Sequence, residues 1–148
     1  MPVRPWDEPG VELPAPLIPL ERTFEGFLDL EWLELTGEQA RARLTVRDDL
    51  KQPLGLLHGG IYSAVAETLA SVATVAAVWK DGYIGAGLSN RASFLRPVTE
   101  GRLDATCRLR GKTDDGHWVW GTDFVDEQGR SCALVDVTVA VRPAPPPR

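Results

Sequence analysis

The chain has 148 residues, enough for one domain with a real hydrophobic core. Its 43% hydrophobic and 25% charged content is ordinary for a globular protein. A formal net charge of -5 argues against a nucleic-acid binder that works through bulk positive charge, though not against a few arginines that grip a phosphate.

Prolines mark the two ends. Six of the twelve fall in the first 19 residues and four in the last six. Proline fixes φ and removes a backbone donor, so neither end is expected to form helix or strand. An extended Pro-rich arm is expected over residues 1–20 and a disordered Pro-rich tail over residues 143–148, leaving residues 21–142 as a single domain. No basic stretch precedes an apolar run near Met1, so no secretory signal is expected, and the cytoplasm is the expected compartment.

The first expected strand covers residues 27–35, where apolar and polar residues alternate imperfectly. The second covers residues 40–47, with Ala42, Leu44 and Val46 on one face and Arg41, Arg43 and Thr45 on the other. A loop with Pro53 and Gly55 leads to His58-Gly59-Gly60, which opens a long helix. Lys80-Asp81-Gly82 closes it, a cation followed by glycine at the C-terminal end. Residues 61–79 are long enough to cross a membrane. Yet Glu67 sits in their middle, and they are rich in Ala, Ser and Thr, so a helix buried inside a soluble protein explains them better.

Four strand-like runs follow, over residues 84–95, 103–111, 118–126 and 131–141, with turns at Asp114-Asp115-Gly116 and Glu127-Gln128-Gly129. Cys107 and Cys132 fall in these strands. They form no CxxC pair and have no ligand-spaced histidines, so two reduced thiols and no metal site are expected. One long apolar helix needs a curved sheet to bury it. The fold class is therefore α+β, an antiparallel sheet of five to six strands wrapped around one long central helix.

From Gly59 to Trp79 the only formally charged residue is Glu67. Ser63, Glu67, Ser71 and Thr74 follow at i, i+4, i+8 and i+11, which predicts one narrow polar stripe on a greasy helix. A lone carboxylate buried there needs a reason. It marks a functional site, or it pairs with Arg91 or Arg96 from the sheet. The two glycines after His58 leave backbone donors bare at a helix N-terminus, where a phosphate or a polarised carbonyl oxygen is favoured. The plainer reading is a tight turn or close packing.

Gly59 and Glu67 are eight residues apart, about 12 Å along one helix. They can hardly serve the same carbonyl from the same chain. If both act in one reaction, they come from two subunits with antiparallel helices, so a two-fold dimer with composite sites is expected.

The run from Gln52 through His58-Gly59-Gly60 to Glu67 and Ser71 resembles the hot-dog thioesterases of the phenylacetate-degradation and 4-hydroxybenzoyl-CoA type, in the branch with a helix glutamate. The resemblance extends through residues 87–98, with Asn90 and Arg96, and through Gly129-Arg130 to residues 140–143, with Arg142. It implies a hot-dog acyl-CoA thioesterase acting on an aromatic, 4-hydroxybenzoyl-CoA-like thioester, within aromatic-compound degradation. In that light Glu67 resembles the catalytic carboxylate, as nucleophile or as general base. The Gly59 amide resembles the oxyanion donor, Gln52 a side chain that polarises the carbonyl, and Ser71 a hydroxyl that orients water. His58 resembles the residue flanking the oxyanion glycine; a hydrogen-bonded helix-start residue is at least as good a reading of it. Arg96 and Arg142 resemble arginines that meet the CoA phosphates, with Ser63 and Asn90 as further substrate contacts. No cofactor is implied, because CoA is part of the substrate. The implied partners are the acyl-CoA and further copies of the chain, a dimer of dimers making a homotetramer, with no nucleic acid and no membrane.

One departure stands out. Close relatives of that type hold the CoA nucleotide with a Ser-Thr pair before the position of Trp118, where this chain reads Thr113-Asp114-Asp115-Gly116-His117. Two carboxylates repel a polyphosphate, so the CoA grip is expected to differ. Trp32, Phe94, Trp118 and Trp120 are candidates for a flat acyl pocket, although aromatics in strands are more often core. A medium-chain acyl-CoA is the competing substrate. A non-catalytic acyl-CoA binding protein, a hot-dog hydratase and a structural oligomer are the competing classes.

Overall fold

The computed structural model describes residues 4–7 and 10–147. A short helix α1 (Phe24–Leu28) leads to strands β1 (Glu31–Leu35) and β2 (Gln39–Thr45). The long helix α2 (Gly59–Val78) follows, then β3 (Tyr83–Phe94), β4 (Arg102–Lys112), β5 (His117–Val125) and β6 (Ser131–Pro143). All six strands join one antiparallel sheet in the order β1-β2-β4-β5-β6-β3. The four late strands are therefore not a simple meander. β3 crosses to the far edge and pairs with β6, while β4 pairs with β2.

The first expected strand starts too early. Phe27 and Leu28 belong to α1, whose N-cap Thr23 accepts a hydrogen bond from the Gly26 N–H at 3.2 Å. Asp29 ends that helix in the left-handed region, and the strand begins two residues later. Phe24, Phe27 and Leu28 recur at the helical spacing i, i+3, i+4, which outweighs the imperfect alternation. The proline-rich ends also carry more structure than expected. Pro5–Asp7 forms a 3-10 turn, and the Trp6 indole donates to the Pro14 carbonyl at 3.1 Å. Pro143 is the last residue of β6, opposite Tyr83, where a missing N–H costs the ladder little.

α2 packs most extensively against β3 and β6, and also touches β2, β4 and β5. Val65, Leu69 and Ala73 of the helix, Leu103 of β4, Trp120 and Phe124 of β5, and Val135, Val137 and Val139 of β6 are fully buried between them. Each large apolar side chain removed from water there stabilises the fold by about 1.5–3 kcal/mol. Although α2 has the length and composition of a membrane span, it is the core helix of this domain. Cys107 and Cys132 are free and buried.

β3 has a special role at the sheet's edge. A Cβ at Gly85 would lie 3.1 Å from Thr74 Cγ2, and one at Gly87 would lie 2.5 Å from Glu67 Oε1. These glycines let α2 approach the strand closely. The ladder to β6 is irregular between Gly87 and Ser89. β3 pairs on one side only, and nine of its twelve residues are exposed. A long free edge of this kind is a template for another strand.

Candidate active site

The segment before α2 is tied down by its backbone. The Gln52 N–H donates to the Leu56 carbonyl at 2.8 Å, Leu57 N–H to Val98 at 2.8 Å, and His58 N–H to Leu50 at 3.0 Å. Gly55 closes the turn at φ 87°. These bonds place Gln52 beside the first turn of the helix. Gln52 Oε1 accepts the Leu54 N–H, so the side-chain orientation is set, and its amide nitrogen makes no hydrogen bond among the described residues.

His58 is the N-cap. Its backbone is extended, and its Nδ1 accepts the Gly60 N–H at 2.9 Å. That use of Nδ1 places the proton of the neutral ring on Nε2. The structure thus supports the helix-start reading of His58. With Gly60 served by the cap and the Ile61 N–H by the His58 carbonyl at 3.0 Å, the Gly59 N–H meets no acceptor among the described residues. It is a free donor at the positive end of a twenty-residue helix.

A cleft of about 400 Å³ opens there, lined by Gln52, Leu56, Leu57, Gly59, Tyr62, Phe94, Leu95, Arg96, Pro97 and Val98. The Phe94 ring lies over Gly59, so that a Cβ on that glycine would come within 2.8 Å of it. Phe94 also packs against Tyr62, with ring centroids 5.7 Å apart, and Tyr62 meets Phe124 edge-on at 5.1 Å. Three residues singled out in the sequence, Gln52, Gly59 and Arg96, thus converge on one cleft. Of the four aromatics considered for an acyl pocket, only Phe94 lines it. Trp118 and Trp120 are core, and Trp32 lines a separate hollow beside the N-terminal arm.

Glu67 is not in this cleft. It lies two turns further along α2, and its side chain is exposed rather than buried within the chain. The expectation of a carboxylate buried inside the subunit is therefore corrected: α2 turns this one position outward, onto the face beside the free β3 edge, where its Oε1 rests against Gly87. Among the described residues no cation lies within ion-pair distance of Glu67, so pairing with Arg91 or Arg96 does not account for it. Ser63 and Ser71, one turn to either side, are half-buried. Thr74 does not join that stripe. It is fully buried although it shares that helix face, because β3 closes over it at Gly85, and its hydroxyl donates to the Ala70 carbonyl at 2.7 Å.

Asn90 Nδ2 donates to the Ser63 carbonyl at 2.9 Å, which lashes β3 to the helix. Arg96 and Arg142 do not converge. Arg142 pairs with Ile84 at one end of the β3–β6 ladder, whereas Arg96 follows Phe94 at the other. At about 3.3 Å per residue, roughly 30 Å of strand runs between the two within one chain. In the hairpin tip before Trp118, the Thr113 hydroxyl donates to Asp115 and accepts the His117 N–H at 3.0 Å. The Thr113 hydrogen bond holds the Asp115 carboxyl below its usual range, so this tip stays anionic.

Two residues escaped the sequence reading. Gly87 was part of a motif with no role attached; a glycine inside a strand is the signal that another group approaches closely. Tyr62 stands among the apolar residues of the helix, and nothing in its spacing separates it from them.

Comparison with known proteins agrees with this geometry. The family described as Thioesterase superfamily matches residues 54–133, the segment running from the Gln52 loop through α2 to β6. The chain belongs to the thioesterase superfamily. It is 32% identical over 121 residues to 1,4-dihydroxy-2-naphthoyl-CoA hydrolase of Escherichia coli (strain K12), covering 82% of this chain and 88% of that protein. A mutant of thioesterase PA1618 from Pseudomonas aeruginosa superposes with a TM-score of 0.77 at 27% identity, over 84% of this chain and 88% of that one. Thioesterase HI1161 from Haemophilus influenzae superposes with a TM-score of 0.76, also at 27% identity, over 84% and 85%. The six-stranded sheet around α2 is thus the hot-dog fold that the sequence resemblance implied, and the protein is a thioester hydrolase.

Proposed function

We propose that this thioesterase hydrolyses an aromatic acyl-CoA, of 4-hydroxybenzoyl-CoA type, at sites shared between two subunits. The observation that carries this reading is the separation within one chain. The free Gly59 donor and Gln52 lie at the cleft, while the unpaired Glu67 carboxylate lies about 12 Å along the same helix, on the face beside an unpaired strand edge. Two-fold pairing of β3 edges sets the two α2 helices antiparallel. The Glu67 of one subunit then faces the cleft of the other, and its exposed position becomes interior. A dimer of such dimers is the assembly we favour.

The thioester carbonyl oxygen takes the Gly59 N–H and the Gln52 amide. Both are fixed before substrate arrives, and such donors stabilise the developing oxyanion. Glu67 removes a proton from water while the water oxygen bonds to the carbonyl carbon, or its own oxygen attacks to give a mixed anhydride that water then opens. In both routes the C–S bond breaks and CoA leaves as thiolate, to be protonated. Ser71 supports the water. Arg96 at the cleft mouth suits a CoA phosphate, and Arg142, far away on the same chain, can serve only a different subunit's substrate. An aromatic acyl group is supported by the cleft's Phe94 and Tyr62 rings, and by the naphthoyl-CoA named for the Escherichia coli relative. Buried free thiols suit a cytoplasmic enzyme.

Gly87→Ala tests the placement of Glu67. The added methyl would sit 2.5 Å from Glu67 Oε1, and only that flexible carboxylate must move. Turnover is expected to fall roughly 10- to 100-fold, because a shift of about 1 Å in a reacting group has that effect. Thermal unfolding should hardly change. Full activity in this variant would mean that the carboxylate position seen here is not the working one.

A further inference from the structure

Tyr62 stands out within the cleft because nothing described so far uses its hydroxyl. The side chain is 4% exposed, held between the Phe94 and Phe124 rings. Buried phenols normally find a hydrogen-bond partner. The Tyr62 hydroxyl has none among the described residues. Nor is it sealed off in the core, as the partnerless Trp120 Nε1 and Thr122 Oγ1 are. Tyr62 lines the cleft that Gln52 and Gly59 share, among mainly apolar side chains. Burial pushes its pKa up to about 12, so the group stays a neutral phenol and remains able both to donate and to accept.

We infer that Tyr62 is a specificity-determining residue whose hydroxyl hydrogen-bonds a polar substituent on the acyl group, selecting hydroxylated aryl thioesters over unsubstituted ones. This rests on the reading of the cleft as the acyl site. The ring alone offers the same apolar surface to any aryl group; the hydroxyl is what distinguishes them. A substrate hydroxyl meeting a buried, otherwise unpaired partner gains more than it would from an apolar wall, and an unsubstituted ring leaves that partner unmet.

The test compares kcat/KM for benzoyl-CoA with that for the best of 2-, 3- and 4-hydroxybenzoyl-CoA, in wild type and in Tyr62→Phe, with thermal unfolding of both. Tyr62→Phe keeps the ring and its packing. Wild type should prefer the hydroxylated ester. The variant should lose about ten-fold on that ester while holding benzoyl-CoA within about two-fold, so that the preference collapses. Equal losses on both esters would assign Tyr62 a purely structural role and overturn the inference, as would an unchanged preference. If wild type hydrolyses no aryl ester at all, the aromatic acyl-CoA reading fails and this inference with it. Aryl hydrolysis with the preference intact in Tyr62→Phe defeats the inference alone.

Discussion

Glu67→Gln is expected to lower kcat by about a thousand-fold or more, the scale for removing a positioned base or nucleophile. The amide is nearly isosteric with the carboxylate but can neither accept a proton from water nor form an anhydride. Folding should be spared. Glu67 makes no ion pair among the described residues, and glutamine fills the same volume without a charge, so unfolding temperature should stay within about two degrees of wild type. The pair of measurements matters. A large drop in turnover with a normal unfolding curve identifies a chemical role. Retained turnover in Glu67→Gln would remove Glu67 from the mechanism, whatever its prominence on an otherwise uncharged helix.

Mixing two inactive proteins, Glu67→Ala and Gln52→Ala, is expected to restore activity. If Glu67 of one subunit works with Gln52 and Gly59 of the other, a heterodimer holds one site lacking both groups and one fully native site. With random mixing half of the dimers are mixed, so about a quarter of all sites become native. If each subunit supplied all its own groups, no native site would form at any mixing ratio. Recovery should therefore follow the fraction of heterodimer, measured on the same sample by differently tagged subunits. Confirmed heterodimers with no recovered activity would show that the site lies within one chain, and the distance between Gly59 and Glu67 would then need another explanation.

Much of this architecture was legible in the sequence because its signals are local and strong. Glycines and a histidine open α2, a glycine closes it, and one charge sits in twenty residues, so the helix and its carboxylate stand out. Strand alternation located β2, β4, β5 and β6 to within a residue or two. What failed needed information from outside the element. The start of β1 was masked by Thr23 and Asp29, which cap a short helix around aromatic residues that also suit a strand. The position of β3 at the sheet's far edge follows from how the chain crosses the helix, which no window of alternation records. Thr74 lies on the polar stripe by spacing, yet β3 covers it at Gly85, a contact that the helical repeat does not record. Glu67 was expected to be buried because its neighbours are apolar. Those neighbours cover the inner face of the helix, while Glu67 stands on the outer face beside β3. Arg96 and Arg142 carry the same implied role in the sequence and lie at opposite ends of one ladder, a fact only the register reveals.

The central claim is that this fold and cleft hydrolyse aromatic acyl-CoA thioesters. It is tested most directly by following free-thiol release by the wild-type protein from a panel of aryl- and alkyl-CoA esters. Steady thiol release is expected, fastest with aryl esters, each thiol matched by one free acid. Faster turnover of medium-chain alkyl esters than of any aryl ester, or no thiol release across the panel, would contradict it.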